Sequence, residues 1–286
     1  MKRKLQISLF LVMMLGILLV PQSSFAASGS YRSISWQAEY EGTPLEKINN
    51  YYVWRSEKKT KDYKLIETAL CCSRDGKEVR TLKCVKAADG EIDSMVSTNG
   101  KTIYYGIYDS AEAKCVIYKT TITGKNHKRV KTVKGNFVGY YNNKIYYSKG
   151  RDTGYYWVAD LYQYDLKTKK TKRLVKDFTV QSMDGRYILG TKRALDVRNS
   201  VHHMINLKTG SITKLPKAHK STTDGKYIYY ATYNSEANSF TLKRCSMKGN
   251  SVKRLKNFGQ GNYVTYLARD SAFIVKNGNS LVEYKY

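Results

Sequence analysis

The stretch that decides the fold is Asp224-Gly-Lys-Tyr-Ile-Tyr-Tyr-Ala-Thr-Tyr233, followed after a polar loop by Phe240-Thr-Leu-Lys-Arg-Cys-Ser-Met-Lys-Gly-Asn-Ser-Val-Lys-Arg-Leu255. A turn pair opens a Tyr/Ile-rich run, a loop leads to a second strand pattern, and Lys248-Gly249 turns into a third. Asn-Gly and Asp-Gly pairs between apolar runs are strong hairpin signals because the tight turn needs positive φ. Comparable pairs recur at Asn49-Asn50, Asn99-Gly100, Asn142-Asn143, Asp184-Gly185 and Asp270-Ser271. A second set of turns, among them Asp75-Gly76, Thr123-Gly124, Lys167–Lys170 and Thr209-Gly210, closes most units.

Six such units, each about 40–45 residues long, match the period of four-stranded propeller blades. The spacing predicts an all-β, six-bladed β-propeller with four-stranded antiparallel blades. The sixth unit has only three strand patterns, and a spare one lies at the other end, within Tyr31–Tyr40. Pairing chain ends within one blade removes an open edge, so Ser33–Ala38 is expected as the outer strand of the last blade. Pro44–Ile48 then supplies the inner strand of the first. The apolar runs after each turn pair, such as Tyr227–Tyr230, are continuous rather than alternating, as expected where both faces are buried. Most of the 26 tyrosines are thereby expected in the core.

The unit resembles the blade of six-bladed propellers of the YWTD type, found in low-density-lipoprotein-receptor-like proteins, and of TolB-like periplasmic propellers. The matches are Ile117-Tyr-Lys-Thr-Thr-Ile-Thr-Gly124, Leu161-Tyr-Gln-Tyr-Asp-Leu-Lys-Thr168 and Leu242-Lys-Arg-Cys-Ser-Met-Lys-Gly249. The similarity runs from about residue 45 to 286 but includes no YWTD tetrad, so the acidic contacts of that family are not carried over. It implies a fold and macromolecular binding, and no chemistry.

Residues 1–26 read as a signal peptide. Lys2, Arg3 and Lys4 precede the apolar run Leu9–Val20, and Ser24-Phe25-Ala26 offers small residues at the cleavage positions. No Cys follows the run, so there is no lipobox. Residues 27–286 are expected as one exported, bacterial domain, secreted or held at the cell envelope. No membrane span remains after cleavage. The five cysteines are odd in number and sparse, which does not suit a disulfide framework. With Asp75-Gly76 as a two-residue turn, Cys84 is expected opposite Glu67 and Cys71 opposite Arg80.

Lys and Arg number 50 against 23 Asp and Glu, a formal charge of +27. Such an excess attracts polyanions. Many of the basic residues fall on the expected outermost strands and their turns: Lys128, Arg129, Lys131, Lys169, Lys170, Lys172, Arg173, Lys253 and Arg254. Lysine on an edge strand blocks edge-to-edge association, but the excess goes beyond that need and suits an anionic cell-wall polymer. Export argues against nucleic acid. The loops between second and third strands differ most among units and share one face of the ring. They bring forward Tyr108, Asp109, Arg151, Asp152, Tyr155, Tyr156, Trp157, Arg193, Arg198 and Tyr233 as candidate contacts to a glycan or surface protein.

No nucleophile elbow, zinc-protease helix or phosphate loop occurs. His202 and His203 are adjacent in a strand and point to opposite faces, so they cannot share a metal. The sequence therefore predicts a binding module without catalytic residues, metal or cofactor. The alternative is a glycosidase or lyase using channel-lining carboxylates.

Overall fold

The computed structural model describes residues 31–35, 46–74, 78–152, 157–192, 200–260, 263–268, 271–276 and 280–285. It contains β-strands and one short 3-10 turn, Ala87–Asp89. Among the described residues no helix is long and apolar enough to cross a membrane.

Five sheets are each built from four consecutive strands in meander order. The first comprises β2 (Glu46–Ile48), β3 (Tyr51–Lys59), β4 (Leu65–Ser73) and β5 (Arg80–Lys86). The second comprises β6 (Glu91–Thr98), β7 (Ile103–Asp109), β8 (Lys114–Thr120) and β9 (Lys128–Lys134). The third is β10 (Asn136–Tyr141), β11 (Lys144–Asp152), β12 (Trp157–Asp165) and β13 (Thr171–Val175). The fourth is β14 (Phe178–Asp184), β15 (Tyr187–Lys192), β16 (Ser200–Asn206) and β17 (Ile212–Ala218). The fifth is β18 (Lys220–Thr223), β19 (Tyr227–Asn234), β20 (Ser239–Ser246) and β21 (Lys253–Phe258).

The turn pairs count six units, but only these five sheets are built from consecutive strands. The remaining four-stranded sheet is composite: β22 (Tyr263–Ala268), β23 (Ser271–Lys276) and β24 (Ser280–Lys285) are joined by β1 (Tyr31–Ser35) from the other end of the chain. Ser33 stands opposite Val282 in that antiparallel pair.

The repeat dictates what packs between sheets. The second strands β7, β11, β15 and β19 set Ile and Tyr at adjacent positions and so on both faces, and Ile103, Tyr105, Ile145, Tyr146, Ile188 and Ile228 are all buried to within 1%. Neighbouring sheets share core clusters; Ile145 and Tyr147 of the third pack with Ile117 and Val133 of the second. Polar side chains also cross the gaps. Thr68 accepts a hydrogen bond from the Ile92 amide at 2.8 Å, and Asp93 one from the Phe137 amide at 2.7 Å. Ser97 accepts from the Tyr140 amide, and Thr222 donates its hydroxyl to Asp184 at 2.8 Å. These bonds satisfy innermost-strand groups that have no further strand to pair with. Tyr52 of the first sheet donates to Glu283 of the composite sheet at 3.1 Å.

Two local expectations are corrected. Cys84 lies opposite Ala69, not Glu67, while Arg80 faces Cys72 and Thr81 faces Cys71. A bulge between Leu70 and Cys71 shifts the register. All five cysteines are free thiols, and only Cys84 is exposed. The turn pairs also divide into two kinds. Tyr141 pairs with Lys144, so Asn142 and Asn143, at φ 46° and 59°, form a two-residue turn. Thr223 pairs with Ile228, leaving a four-residue turn in which the Asp224 carboxylate accepts from the Lys226 and Tyr227 amides at 2.7 Å.

Candidate functional site: the basic outer edge and the loop face

The antiparallel meander puts the connections from second to third strand, and from each sheet to the next, at one end of every sheet. The other two turns of each sheet lie at the opposite end. Tyr108, Asp109, Arg151, Asp152, Trp157 and Tyr233 lie at the first of these ends of their own sheets, which is here the loop face.

Arg151, near the end of β11, is the best placed of them, and it is committed internally. Its guanidinium approaches Asp160 of β12 at 3.6 Å and forms an ion pair with Asp177, in the link between the third and fourth sheets. Asp160 is buried, takes the Asp177 amide at 2.9 Å, and meets Arg173 of β13 at 3.4 Å. Two arginines and two carboxylates thus clamp a sheet-to-sheet connection. Asp160 and Asp177 are thus two carboxylates tied together through Arg151.

The other loop-face candidates have comparable local roles. Asp109 accepts from the Ala111 and Glu112 amides at 3.0 and 3.3 Å, holding its own turn. Tyr108 packs against the core between the second and third sheets. Tyr233 donates to Asn238 at 3.0 Å and rests on Phe240, with ring centroids 4.9 Å apart. Asp152 and Trp157 face one another as the last pair of their hairpin. Tyr155, Tyr156, Arg193 and Arg198 lie outside the described residues.

The outer edge differs in character. Strands β5, β9, β13, β17 and β21 are outermost in their sheets, and every charged residue on them is Lys or Arg. Lys128, Arg129, Lys169, Lys170, Lys172, Arg173, Lys253 and Arg254 are exposed. Lys131 is half-buried because its ammonium sits 4.3 Å from the centre of the Tyr164 ring, tying the second sheet's edge to the third sheet. Among the described residues Lys128, Lys169, Lys170, Lys172 and Lys253 form no ion pair, whereas Arg173 is drawn towards Asp160. The edge is therefore a row of solvated cations on a scaffold fixed from behind.

Sequence reasoning missed the buried polar groups. Asp93 is raised to about 6 by burial, against hydrogen bonds from the Phe137, Ser94 and Met95 amides and the charge of Arg55. His202, whose Nδ1 lies 2.7 Å from the Ser221 hydroxyl, is lowered to about 4 by burial and by His219, His203 and Lys220. The available signal was a carboxylate set inside an apolar strand, as in Ile92-Asp93 and Ala159-Asp160-Leu161. Among the described residues no group of His, Cys, Asp and Glu is arranged to hold a metal ion.

Comparison with solved structures carries the fold further. TolB from Acinetobacter baumannii superposes with a TM-score of 0.53 at 14% identity, over 86% of this chain and 66% of TolB. The chain folds as a β-propeller. Its sheets are the blades, four-stranded and antiparallel. Nidogen in its complex with laminin gives a TM-score of 0.47 at 13% identity over 76% of this chain and 79% of that one. The propeller domain of the Trilobed protease from Pyrococcus furiosus gives 0.47 at 11% identity, over 85% and 93%. No protein-family model matches the sequence, and neither does any curated protein. At these identities the likeness concerns the propeller fold alone, and this chain spans about two thirds of TolB.

Proposed function

We propose that the protein is an exported binding module of the bacterial cell envelope, a six-bladed propeller whose basic outer edges hold an anionic wall polymer. The observation that carries this reading is the charge of the outermost strands, all basic, with exposed lysines that form no ion pair among the described residues. Charged side chains, Lys above all, protect an edge strand, and β9 alone presents Lys128, Arg129, Lys131 and Lys134 with no acidic residue among them. A polymer with a regularly spaced negative charge would follow such rows, displacing counterions as it binds.

The test is retention on immobilised wall polymer across a salt series. The wild type is expected to be held at low salt and released as added ions screen the contact. The triple variant Lys128→Glu, Lys172→Glu, Lys253→Glu should elute at markedly lower salt with an unchanged melting temperature. Retention that ignores both salt and the triple substitution would rule the reading out. The six-bladed ring belongs to the same proposal, supported by the composite sheet and by the Tyr52–Glu283 hydrogen bond.

A further inference from the structure

The most exposed large apolar side chain among the described residues lies on a loop-face turn that carries none of the candidate residues named above. It is Tyr63, 84% exposed at the tip of the β3–β4 hairpin of the first blade. The surrounding sequence is Lys58-Lys-Thr-Lys-Asp-Tyr-Lys64, and all seven residues are exposed. The tip is nonetheless fixed. The Thr60 amide donates to the Lys64 carbonyl at 2.8 Å and the Tyr63 amide to the Thr60 carbonyl at 3.0 Å. The Lys64 amide donates to the Thr60 hydroxyl at 3.1 Å. Tyr63 is held at φ 59°, a conformation that bulky residues rarely adopt and that glycine takes freely. A ring that packs on nothing gains the fold nothing there, so its presence at a strained position points to contact outside the chain.

Two neighbouring features give that contact its chemistry. Ile66 is the extra residue of a bulge in which Lys59 pairs with Leu65 and Lys58 with Glu67, and it is 42% exposed. Lys58, Lys61 and Lys64 form no ion pair among the described residues, and Asp62 is the only acid within the tip. We infer that this hairpin tip docks on an anionic lipid bilayer, with Tyr63 in the headgroup region and the three lysines against lipid phosphates. Tyrosine is favoured at that depth, where its ring is buried and its phenol stays wet. Lysines beside it are drawn by the negative surface potential. A hydrated anionic polymer would satisfy the lysines but offers nothing to Ile66, which is why the bilayer is the better fit. The surface is distinct from the outer edge, and neither reading depends on the other.

The test uses the full chain with vesicles of phosphatidylcholine alone and of phosphatidylcholine mixed with phosphatidylglycerol, in a flotation assay. Tyr63→Gly is the informative variant because it removes the ring while relieving the positive φ, so folding is preserved or improved. Binding to the mixed vesicles is expected to fall about fivefold or more in Tyr63→Gly, and further in Lys61→Glu, Lys64→Glu. Tyr63→Trp should bind like the wild type and add an emission component that shifts to the blue with mixed vesicles only. Wild-type affinity in Tyr63→Gly overturns the proposal. In a parallel arm with soluble polyphosphate, a loss there without a loss on the mixed vesicles also overturns it and assigns the tip to a polymer instead.

Discussion

At the scale of single residues, two buried titratable groups pull the stability of the propeller in opposite directions. Asp93 has a folded pKa of about 6 against an ordinary 3.8. Its stabilising contribution is fully present below 3.8 and is lost as pH rises through 6, a cost of about 3 kcal/mol once ionised. His202, at about 4 against 6.5, contributes stability that is present above 6.5 and lost as pH falls through 4. The two slopes overlap and largely cancel between pH 4 and 6. Asp93→Asn should therefore expose the histidine slope, with urea midpoints falling on acidification across that window. His202→Asn should show the reverse. Parallel profiles for the two variants would contradict the assignments. Asp93 left only the weak signal of a carboxylate inside an apolar strand, and His202 left none. His202 reads as one of a pair of strand histidines, and only packing reveals which face of the strand is dry.

At the scale of elements, the sequence carries the strands well and their registers poorly. The runs after each turn pair announce second strands because β-branched and tyrosine residues occupy consecutive positions there. Register depends on bulges, as between Phe137 and Gly139, Val180 and Ser182, and Leu70 and Cys71. A bulge adds one residue without an obvious signature: the register at Cys71 and Cys72 is already one residue off a two-residue turn, and the bulge between Leu70 and Cys71 adds the second step seen at Cys84. The candidate loops fared similarly. Arg151 looks available in sequence because Asp160 and Asp177 are distant from it along the chain, and only the hairpin and the blade link bring them together. Tyr63 had the opposite problem: it is one tyrosine among many, set apart only by its Lys-Asp and Lys neighbours. The links between blades are exacting. Gly135, between β9 and β10, sits at φ 125°, and an added Cβ would overlap the Ser148 carbonyl oxygen. Gly135→Ala should cost about 2 kcal/mol or more, seen as a lowered melting temperature. An unchanged value would mean that the link relaxes freely.

At the scale of the whole molecule, the composite sheet makes a chemical prediction. Ser33 and Val282 are direct partners, close enough across an antiparallel pair for a disulfide in favourable cases. In a Cys84→Ser background, which removes the exposed thiol, Ser33→Cys with Val282→Cys should cross-link on mild oxidation of the folded protein. The cross-link should raise the melting temperature by restricting the unfolded chain. Failure to cross-link in the folded state, with ready cross-linking in denaturant, would place β1 elsewhere. Removing the hydroxyl in Tyr52→Phe should lower stability by about 1 kcal/mol or more by leaving buried Glu283 with one donor fewer.

The composite sheet also sets a timetable. Of the strands described, β1 is the first to leave the ribosome and β24, its partner, the last. The nascent chain must carry an unmatched strand through the synthesis of every blade between them, with its own final edge equally unmatched until the end. The interval is one of exposure to other chains, and it lengthens with every pause in translation. Until the two strands meet, the all-basic outer strands work against association: neighbouring incomplete chains repel one another along the edges they would otherwise share. Refolding from denaturant should therefore lose less protein to aggregation at low ionic strength than at high ionic strength, where that repulsion is screened.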